Sequence, residues 1–267
     1  MTALARTSVR DALDSAVTAL TAAGCETPQL DAEVLLAAAM GVDRAVLIAD
    51  PGRSLAPHEA GAFRDFARRR TQREPVAYIL GRKGFRRLEL AVDPRVLVPR
   101  PETEHVVEAA LGLPQGARAV DVGTGSGAIA LALKDERPDL RVVATESSPG
   151  ALAVARANGA RLGLEVEWLE GDLLEPVPGA VDAVVSNPPY VADGERLAPE
   201  LAHEPHEALY GGPDGFEVLR RLAVAVRDVP FVAVEVGAGQ AAEVASLLGA
   251  SEIVRDLAGI ERVVVRR

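Results

Sequence analysis

The 267-residue sequence has a single cysteine, Cys25, which rules out an internal disulfide and any multi-cysteine metal site. No histidine or asparagine pattern supports a reactive thiol, so Cys25 reads as buried or incidental. No run of eighteen or more apolar residues is present, which argues against a transmembrane helix. The stretch from Met1 to Arg10 has no apolar core of signal-peptide length before Arg10 and Asp11 interrupt it, and a cytoplasmic location is expected. Internal repeats and low-complexity tracts are missing too, beyond a general alanine and arginine bias. An excess of positive charge is also lacking, since the net charge is −10. Residues 1–75 carry nine arginines against ten acidic residues, and residues 76–267 carry twenty basic against twenty-nine acidic ones. A phosphate backbone repels such a balance, so no direct nucleic-acid target is expected. The basic clusters Arg68, Arg69, Arg70, Arg73 and Arg82, Lys83, Arg86, Arg87 read as solvated faces, with room to meet an acidic or RNA-bound partner.

What is present is ordinary globular material, 48% hydrophobic and 25% charged, long enough for a small domain plus a larger one. Ser8 caps a predicted helix with an apolar stripe of Val9, Leu13, Val17 and Leu20, stopped at Gly24. Pro28 opens a second helix that ends at Gly41, and a third amphipathic stretch runs from Pro57 to Arg70. Val76–Leu80 and Leu88–Val92 read as short strands around Gly81 and Gly84, a connecting hairpin. From Ala117 onward strands and helices alternate, which implies a mostly parallel sheet covered on both faces, with ligands beyond the carboxyl ends of its strands. The expected division is a helical substrate-docking domain over 1–74, a linker hairpin over 75–100 and a catalytic α/β domain over 101–267.

Three loops carry chemistry. The first, Asp121-Val122-Gly123-Thr124-Gly125-Ser126-Gly127, follows a predicted strand and opens a helix. Its glycines let a ligand approach the backbone, and the helix start offers free N–H groups. The spacing is G-x-G-x-G, not the dinucleotide G-x-G-x-x-G. With Asp121 placed to hold an ammonium group, it suits the amino-acid end of S-adenosylmethionine better than a pyrophosphate. Glu146 ends the second strand, where an acid can accept both hydroxyls of a ribose. Asp172 is a weaker candidate for the adenine amino group, a plain turn aspartate being nearly as good a reading, and Leu173 would pack on the ring.

The decisive loop is Asn187-Pro188-Pro189-Tyr190, directly after the buried-type strand Val181–Ser186. An amide or exocyclic amine has a delocalised lone pair and is a poor nucleophile. The Asn187 side-chain oxygen and the Pro188 carbonyl can each accept one N–H of such an NH₂ group, orienting it and favouring its charge as it turns tetrahedral. Two prolines freeze the loop, and Tyr190 supplies a flat apolar wall. No general base is needed before attack, because the proton becomes acidic only once methylation begins.

Together with Val98-Pro99-Arg100-Pro101-Glu102-Thr103-Glu104, these motifs closely resemble the bacterial release-factor glutamine methyltransferases. The segments Glu235–Gln240 and Asp256–Arg262 are similar to that family's C-terminal ones, and the resemblance runs from about residue 7 to 267. It implies a Rossmann-like class I S-adenosylmethionine-dependent sheet with a small N-terminal helical domain. It also implies methylation of the Gly-Gly-Gln glutamine of class I peptide-chain release factors, by a protein expected to be a monomer. By the same resemblance Gly123–Gly127, Glu146 and Leu173 line the cofactor site, and Asn187–Tyr190 hold the glutamine with Asn187 also close to the methyl donor. This sequence departs from the family at Glu146, where many relatives carry Asp, and at Leu173, where some carry an aromatic ring. It departs again at Arg227–Pro230, where relatives often have a Gly-Gly turn.

The rival readings share parts of this pattern. A ribosomal-protein glutamine methyltransferase would use every catalytic residue named. An adenine-amino DNA or RNA methyltransferase predicts a basic groove and a target-recognition domain, and the acidic balance of residues 76–267 and the absence of an inserted domain argue against it. A degenerate S-adenosylmethionine binder has no need of Asn187–Tyr190, and the glycine spacing disfavours an NAD(P) dehydrogenase. No metal is expected, since in His203-Glu204-Pro205-His206 Pro205 breaks the helix that would align ligands. Arg100 reads equally as cleft-lining or as half of an ion pair, Glu235 as site-facing or as a strand-end acid, and Trp168 as core.

Overall fold

The computed structural model describes residues 7–250 and 252–267. They fall into two compact units. One is the chain up to Gly81 together with Ala198–His203; the other is Arg82–Leu197 with Glu204–Arg267.

The first unit is helical: α1 (Val9–Ala22), α2 (Pro28–Met40), α3 (Arg44–Ala49), α4 (Pro57–Thr71) and α5 (Val76–Leu80). Ser8 caps α1 in a reciprocal box with Asp11, satisfying N–H groups that the first turn leaves orphaned and contributing about 1 kcal/mol. Val9, Leu20, Leu35, Leu36, Phe63 and Ile79 form its core. The run 76–80 corrects the strand expectation, because it is a single helical turn and a half. Pro75 before it and left-handed Gly81 after it are helix punctuation, and burial of Tyr78 and Ile79 overrides their β propensity. The segment 198–203 is held in this unit by Glu200, which takes Arg70 Nη2 at 2.8 Å and Arg73 Nη2 at 2.6 Å. Burial opposes its ionisation, yet Arg73 and Arg70 hold the Glu200 carboxyl down at about 2.

The second unit opens with the antiparallel hairpin β1 (Arg82–Phe85) and β2 (Leu88–Ala91), whose Phe85 and Leu90 are buried in the core of this unit. A 3-10 turn, Pro101–Thr103, leads into α6 (Glu104–Ala110). The order then runs β3 (Arg118–Val122), α7 (Ala128–Glu136), β4 (Arg141–Glu146), α8 (Pro149–Leu162), β5 (Glu167–Glu170) and β6 (Ala183–Ser186). After these come the short helix α9 (His206–Leu209), α10 (Glu217–Ala225), β7 (Phe231–Glu235), α11 (Ala241–Leu248), β8 (Glu252–Arg255) and β9 (Glu261–Arg266).

The seven strands lie in the order β5-β4-β3-β6-β7-β9-β8. Only β9 runs against its neighbours. The central strands are apolar on both faces: Ala119, Val185 and Ala233 point to one core, Val120, Val184 and Val234 to the other. That is the pattern of a parallel sheet covered on both sides. Strand β8 escaped the sequence reading because its residues alternate between half-buried and exposed. No helix among the described residues is long and apolar enough to cross a membrane.

Candidate active site

Strand order reverses between β3 and β6, so the loops leaving their carboxyl ends diverge and open a crevice, the usual ligand position in such sheets. A cavity of about 320 Å³ lies there. Its wall brings together Gly123, Gly125, Glu146, Asp172 and Leu173 with Asn187, Pro188 and Pro189. Five expected site residues do not reach that wall: Asp121, Thr124, Ser126, Gly127 and Tyr190.

The first four of those build the loop from behind. Asp121 is 1% exposed and its Oδ2 accepts the Thr124 hydroxyl at 2.6 Å and the Ala130 N–H at 3.1 Å. Its Oδ1 has no partner, and burial pushes its carboxyl up to about 7 against those two hydrogen bonds. The Ser126 carbonyl accepts from Asn158 Nδ2 at 2.9 Å. Gly127 lies against Leu131 and Trp168, where an added Cβ would come within 2.9 Å of Leu131 Cδ1. Gly123 and Gly125 differ: both have left-handed backbone, φ 71° and 57°, and a Cβ on either would meet nothing within 4 Å. They are the residues that leave room for a ligand.

Glu146 Oε2 accepts the Gly125 N–H at 2.9 Å and Oε1 accepts the Ser148 N–H at 3.0 Å, which fixes the carboxylate while leaving lone pairs toward the cavity. Asp172 is ion-paired with Arg221, and both line the cavity. Leu173 holds φ 47°, an uncommon conformation for a residue with a branched side chain, and such strain persists where surrounding structure enforces it.

The Asn187–Tyr190 loop is buttressed by backbone. Val191 N–H donates to Leu209 O at 2.9 Å, and Gly211 N–H donates to Val191 O at 2.8 Å. Gln240 Nε2 donates to the Tyr190 carbonyl at 3.0 Å while its Oε1 accepts the Gly237 N–H. A Cβ on Gly211 would stand 2.5 Å from Pro189 O, and one on Gly215 2.4 Å from Tyr190 O. Asn187 Nδ2 donates to Thr103 Oγ1 at 3.1 Å. The half-buried Tyr190 ring packs against the core that β7, α10 and α11 share, and its hydroxyl meets Glu235 Oε1 at 3.4 Å. Burial first, then the Glu235 charge, raise its pKa. Tyr210, by contrast, lines the cavity and stacks on His206 with ring centroids 4.3 Å apart.

Other placements settle readings left open by sequence. Arg100 is half of an ion pair, its Nη2 2.5 Å from Glu204 Oε1, and Glu204 also accepts the Val98 N–H at 2.9 Å. The two histidines of 203–206 part company: His203 Nε2 lies 3.2 Å from Gln72 O, and His206 is the ring under Tyr210. Pro205, Glu207 and Ala208 shape the cavity wall. Glu235 is 2% exposed, buried behind the loop. Trp168 is half-buried against the core. Three residues were not singled out by sequence: Thr103, which holds Asn187, and Tyr210 and Arg95, which lie on the cavity wall. Thr103 alone had a signal, its place inside Pro101–Glu104.

Known proteins match both units. The family model described as the PrmC N-terminal domain matches residues 11–81, and the one described as the methyltransferase small domain matches residues 104–215. The release factor glutamine methyltransferase of Mycolicibacterium smegmatis is 46% identical over 230 residues, covering 83% of this chain and 80% of that one. That of Geobacter sulfurreducens is 41% identical over 271 residues, covering 96% and 95%. Among solved structures, a methyltransferase from Pyrococcus furiosus matches with a TM-score of 0.52 at 23% identity, over 67% of this chain and 87% of that one, a likeness of fold.

Proposed function

The chain belongs to the release factor glutamine methyltransferase family, and from that premise we propose how its residues serve methyl transfer from S-adenosylmethionine to a release-factor glutamine. The observation that carries the proposal is the shared cavity: glycines with room for a ligand, a fixed carboxylate and the Asn187–Pro189 acceptors line one crevice.

The residues fit the methyl donor. Gly123 and Gly125 leave open space over the loop, and an ammonium group bound there would favour ionisation of the buried Asp121 carboxyl behind it, whose Oδ1 has no partner. Glu146 would take the ribose hydroxyls, Asp172 the adenine amino group, and Leu173 the ring face. When bound, S-adenosylmethionine supplies a methyl group on a positively charged sulfur.

Everything else falls to the protein. Asn187 Oδ1 and the Pro188 carbonyl accept the two N–H groups of the target amide, so its nitrogen is held in one orientation and its developing positive charge is met by two fixed dipoles. Pro188 and Pro189 restrict the loop, and backbone contacts at Val191 and Gly211 together with the Gln240 side chain keep it in place. No base is needed before attack, because the amide proton becomes acidic only as the new N–C bond forms; the same two oxygens hold the N–H groups by hydrogen bonds until that proton leaves to solvent water.

The target in this reading is the glutamine of the Gly-Gly-Gln tripeptide of class I release factors. The helical unit serves as its docking domain, a reading supported by the match of residues 11–81 to the N-terminal domain model of the same family. The enzyme acts as a monomer in the cytoplasm, where release factors meet ribosomes, and takes protein in preference to nucleic acid, in keeping with its acidic balance. The test is methyl transfer from radiolabelled S-adenosylmethionine to a purified release factor, beside a copy with that glutamine replaced by alanine. Label on the first alone is expected. Equal label on both would move the target to another residue. No label on either, with cofactor binding retained, would point to a ribosomal protein.

A further inference from the structure

The turn between β8 and β9 displays apolar side chains to solvent. Leu257 is fully exposed, and no other large apolar side chain among the described residues is as open. Ala258, Gly259 and Ile260 beside it are exposed as well. A lone exposed leucine needs no explanation, because much of any folded surface is apolar. A run of four residues without a polar side chain, on a turn that is rigidly built, is a different matter.

The rigidity comes from Asp256. Its Oδ1 accepts the N–H groups of Ala258 and Ile260, each at 2.9 Å, and its Oδ2 accepts Arg262 Nε at 2.8 Å. The backbone closes the turn a second time, with Asp256 N–H donating to Ile260 O and Gly259 N–H to Asp256 O, both at 2.9 Å. Arg255 Nη1 adds a bond to the Gly259 carbonyl at 2.9 Å. None of these bonds involves the Leu257 side chain.

The turn lies at the end of the sheet where the cavity opens. Strand β9 runs antiparallel to β7, with Val263 opposite Glu235, and Val236 N–H donates to Arg262 O at 2.9 Å. The residues that precede Arg262 therefore project past the carboxyl end of β7, the same end at which Asn187 leaves β6. At about 3.3 Å per residue Ile260 stands roughly 10 Å beyond Val263, and at about 4.8 Å per strand β9 lies roughly 10 Å to the side of β6. Arg262 Nη2 is 3.8 Å from Glu102 Oε1, in the same 3-10 turn as the Thr103 that holds Asn187. An interface of ordinary size, about 800 Å² on each partner, is roughly 30 Å across, wide enough to take in both places.

We propose that the Asp256–Ile260 turn is a docking element for the protein substrate, with Leu257 and the neighbouring Ile260 entering an apolar hollow on the release factor beside its Gly-Gly-Gln loop. The inference rests on the reading of a release factor as the substrate. A side-chain amide is common to every glutamine, so a contact beyond the cavity is what separates one protein's glutamine from another's. Removing the leucine side chain from water drives the contact in proportion to its apolar area. The preformed turn has little conformational freedom left to lose, which keeps the ordering cost of binding small.

The experiment compares full-length wild type, Leu257→Asp, Leu257→Ala and Val224→Asp, with radiolabelled S-adenosylmethionine and a purified release factor. Val224 is an exposed apolar residue on α10 and controls for the added charge. Leu257→Asp should raise KM for the release factor on the order of 10-fold or more, the equivalent of one leucine side chain left unburied, and Leu257→Ala should raise it by a smaller factor. Cofactor affinity by calorimetry, kcat at saturating release factor and the melting temperature should match wild type in both, since the side chain supports nothing in the fold. Val224→Asp should keep the wild-type KM. A wild-type KM in Leu257→Asp, or an equal rise in Val224→Asp, overturns the proposal. A lower melting temperature with a fall in kcat and no change in KM would make the role structural and overturn it too. So would sedimentation showing that wild type self-associates and Leu257→Asp does not, with KM unchanged, because the turn would then meet a second copy of the chain. No label in wild type itself overturns the reading beneath, and that control tells the two failures apart.

Discussion

Two loops leave neighbouring strands of one sheet at the same end, and they use glycine and polar side chains in opposite ways. In the loop after β3, Gly123 and Gly125 face open space and the polar side chain, Asp121, is turned inward to brace the backbone. In the loop after β6, no glycine lies in the Asn187–Tyr190 motif. The glycines, Gly211 and Gly215, sit opposite it, where their missing Cβ atoms let a second stretch of backbone come against Pro189 O and Tyr190 O. The polar side chain there, Asn187, is turned outward with one end of its amide held by Thr103. The first loop is built to be filled, the second to be aimed. Binding and turnover should therefore separate by mutation.

The largest effect belongs to the aimed side chain. Asn187→Ala is expected to lower kcat on the order of 10²-fold or more while cofactor affinity stays near wild type, because only one of two fixed acceptors remains in the transition state. Turnover like wild type would remove Asn187 from the chemistry and erase the distinction between the loops. The mirror-image change is Gly125→Val. A branched side chain at φ 57° is strained and projects where the ligand must lie, so affinity for S-adenosylmethionine should fall by roughly tenfold or more. Calorimetry showing unchanged affinity would mean that this glycine does not face the cofactor.

Gly211→Ala probes the buttress. The new methyl would stand 2.5 Å from Pro189 O and 2.7 Å from Gly215 O, both backbone atoms, so one strand of chain must move. A cost of about 1–3 kcal/mol in stability is expected, as for other overpacked sites, together with a drop of a few-fold in kcat and little change in cofactor affinity. Denaturant unfolding and steady-state kinetics check the two parts. If cofactor affinity falls instead of kcat, the buttress serves the first loop and the comparison is wrong.

How much of this was legible in the sequence follows the same division. Backbone devices leave local marks: the glycine spacing of 123–127, the double proline of 188–189, the Ser8 cap and the alternation of strands and helices all lie within a few residues of one another. The sheet and the two loops could be read from them. What the loops do with their side chains depends on partners far along the chain. Thr103 is 84 positions from Asn187, and Glu235 is 45 from Tyr190. Nothing local distinguishes an Asp121 that braces from one that faces a ligand, nor a Tyr190 half-buried against the core from a Tyr210 on the wall. The misread helix α5 has the same origin, since its β-prone residues are held helical by burial in a core whose other members come from α1, α2 and α4. The capture of 198–203 by the helical unit rests on Glu200 and two arginines 127 and 130 positions away.

The smallest predicted effect tests whether the inward carboxylate of the first loop is a brace with a charge cost. Asp121 is buried with its pKa pushed up to about 7, against an ordinary value of 3.8, chiefly by burial. A raised acid pKa means that the folded state keeps its proton after the unfolded chain has lost it. Between the ordinary carboxylate range and neutrality the unfolded state is therefore progressively favoured, and this group's contribution to stability declines as pH rises until it levels off above the folded pKa. Asp121→Asn retains an acceptor for Thr124 and Ala130 and removes the titration. Its melting temperature should fall less steeply than that of wild type from pH 4 to pH 7, the window spanned by the two values. The slope is reduced and not abolished, because Glu235 is pushed up to about 7 as well and titrates over the same window. Superimposable slopes for the two proteins would show that Asp121 is ionised throughout. Its orphaned Oδ1 would then carry a charge in the empty loop, and the first loop, like the second, would be aimed before it is filled.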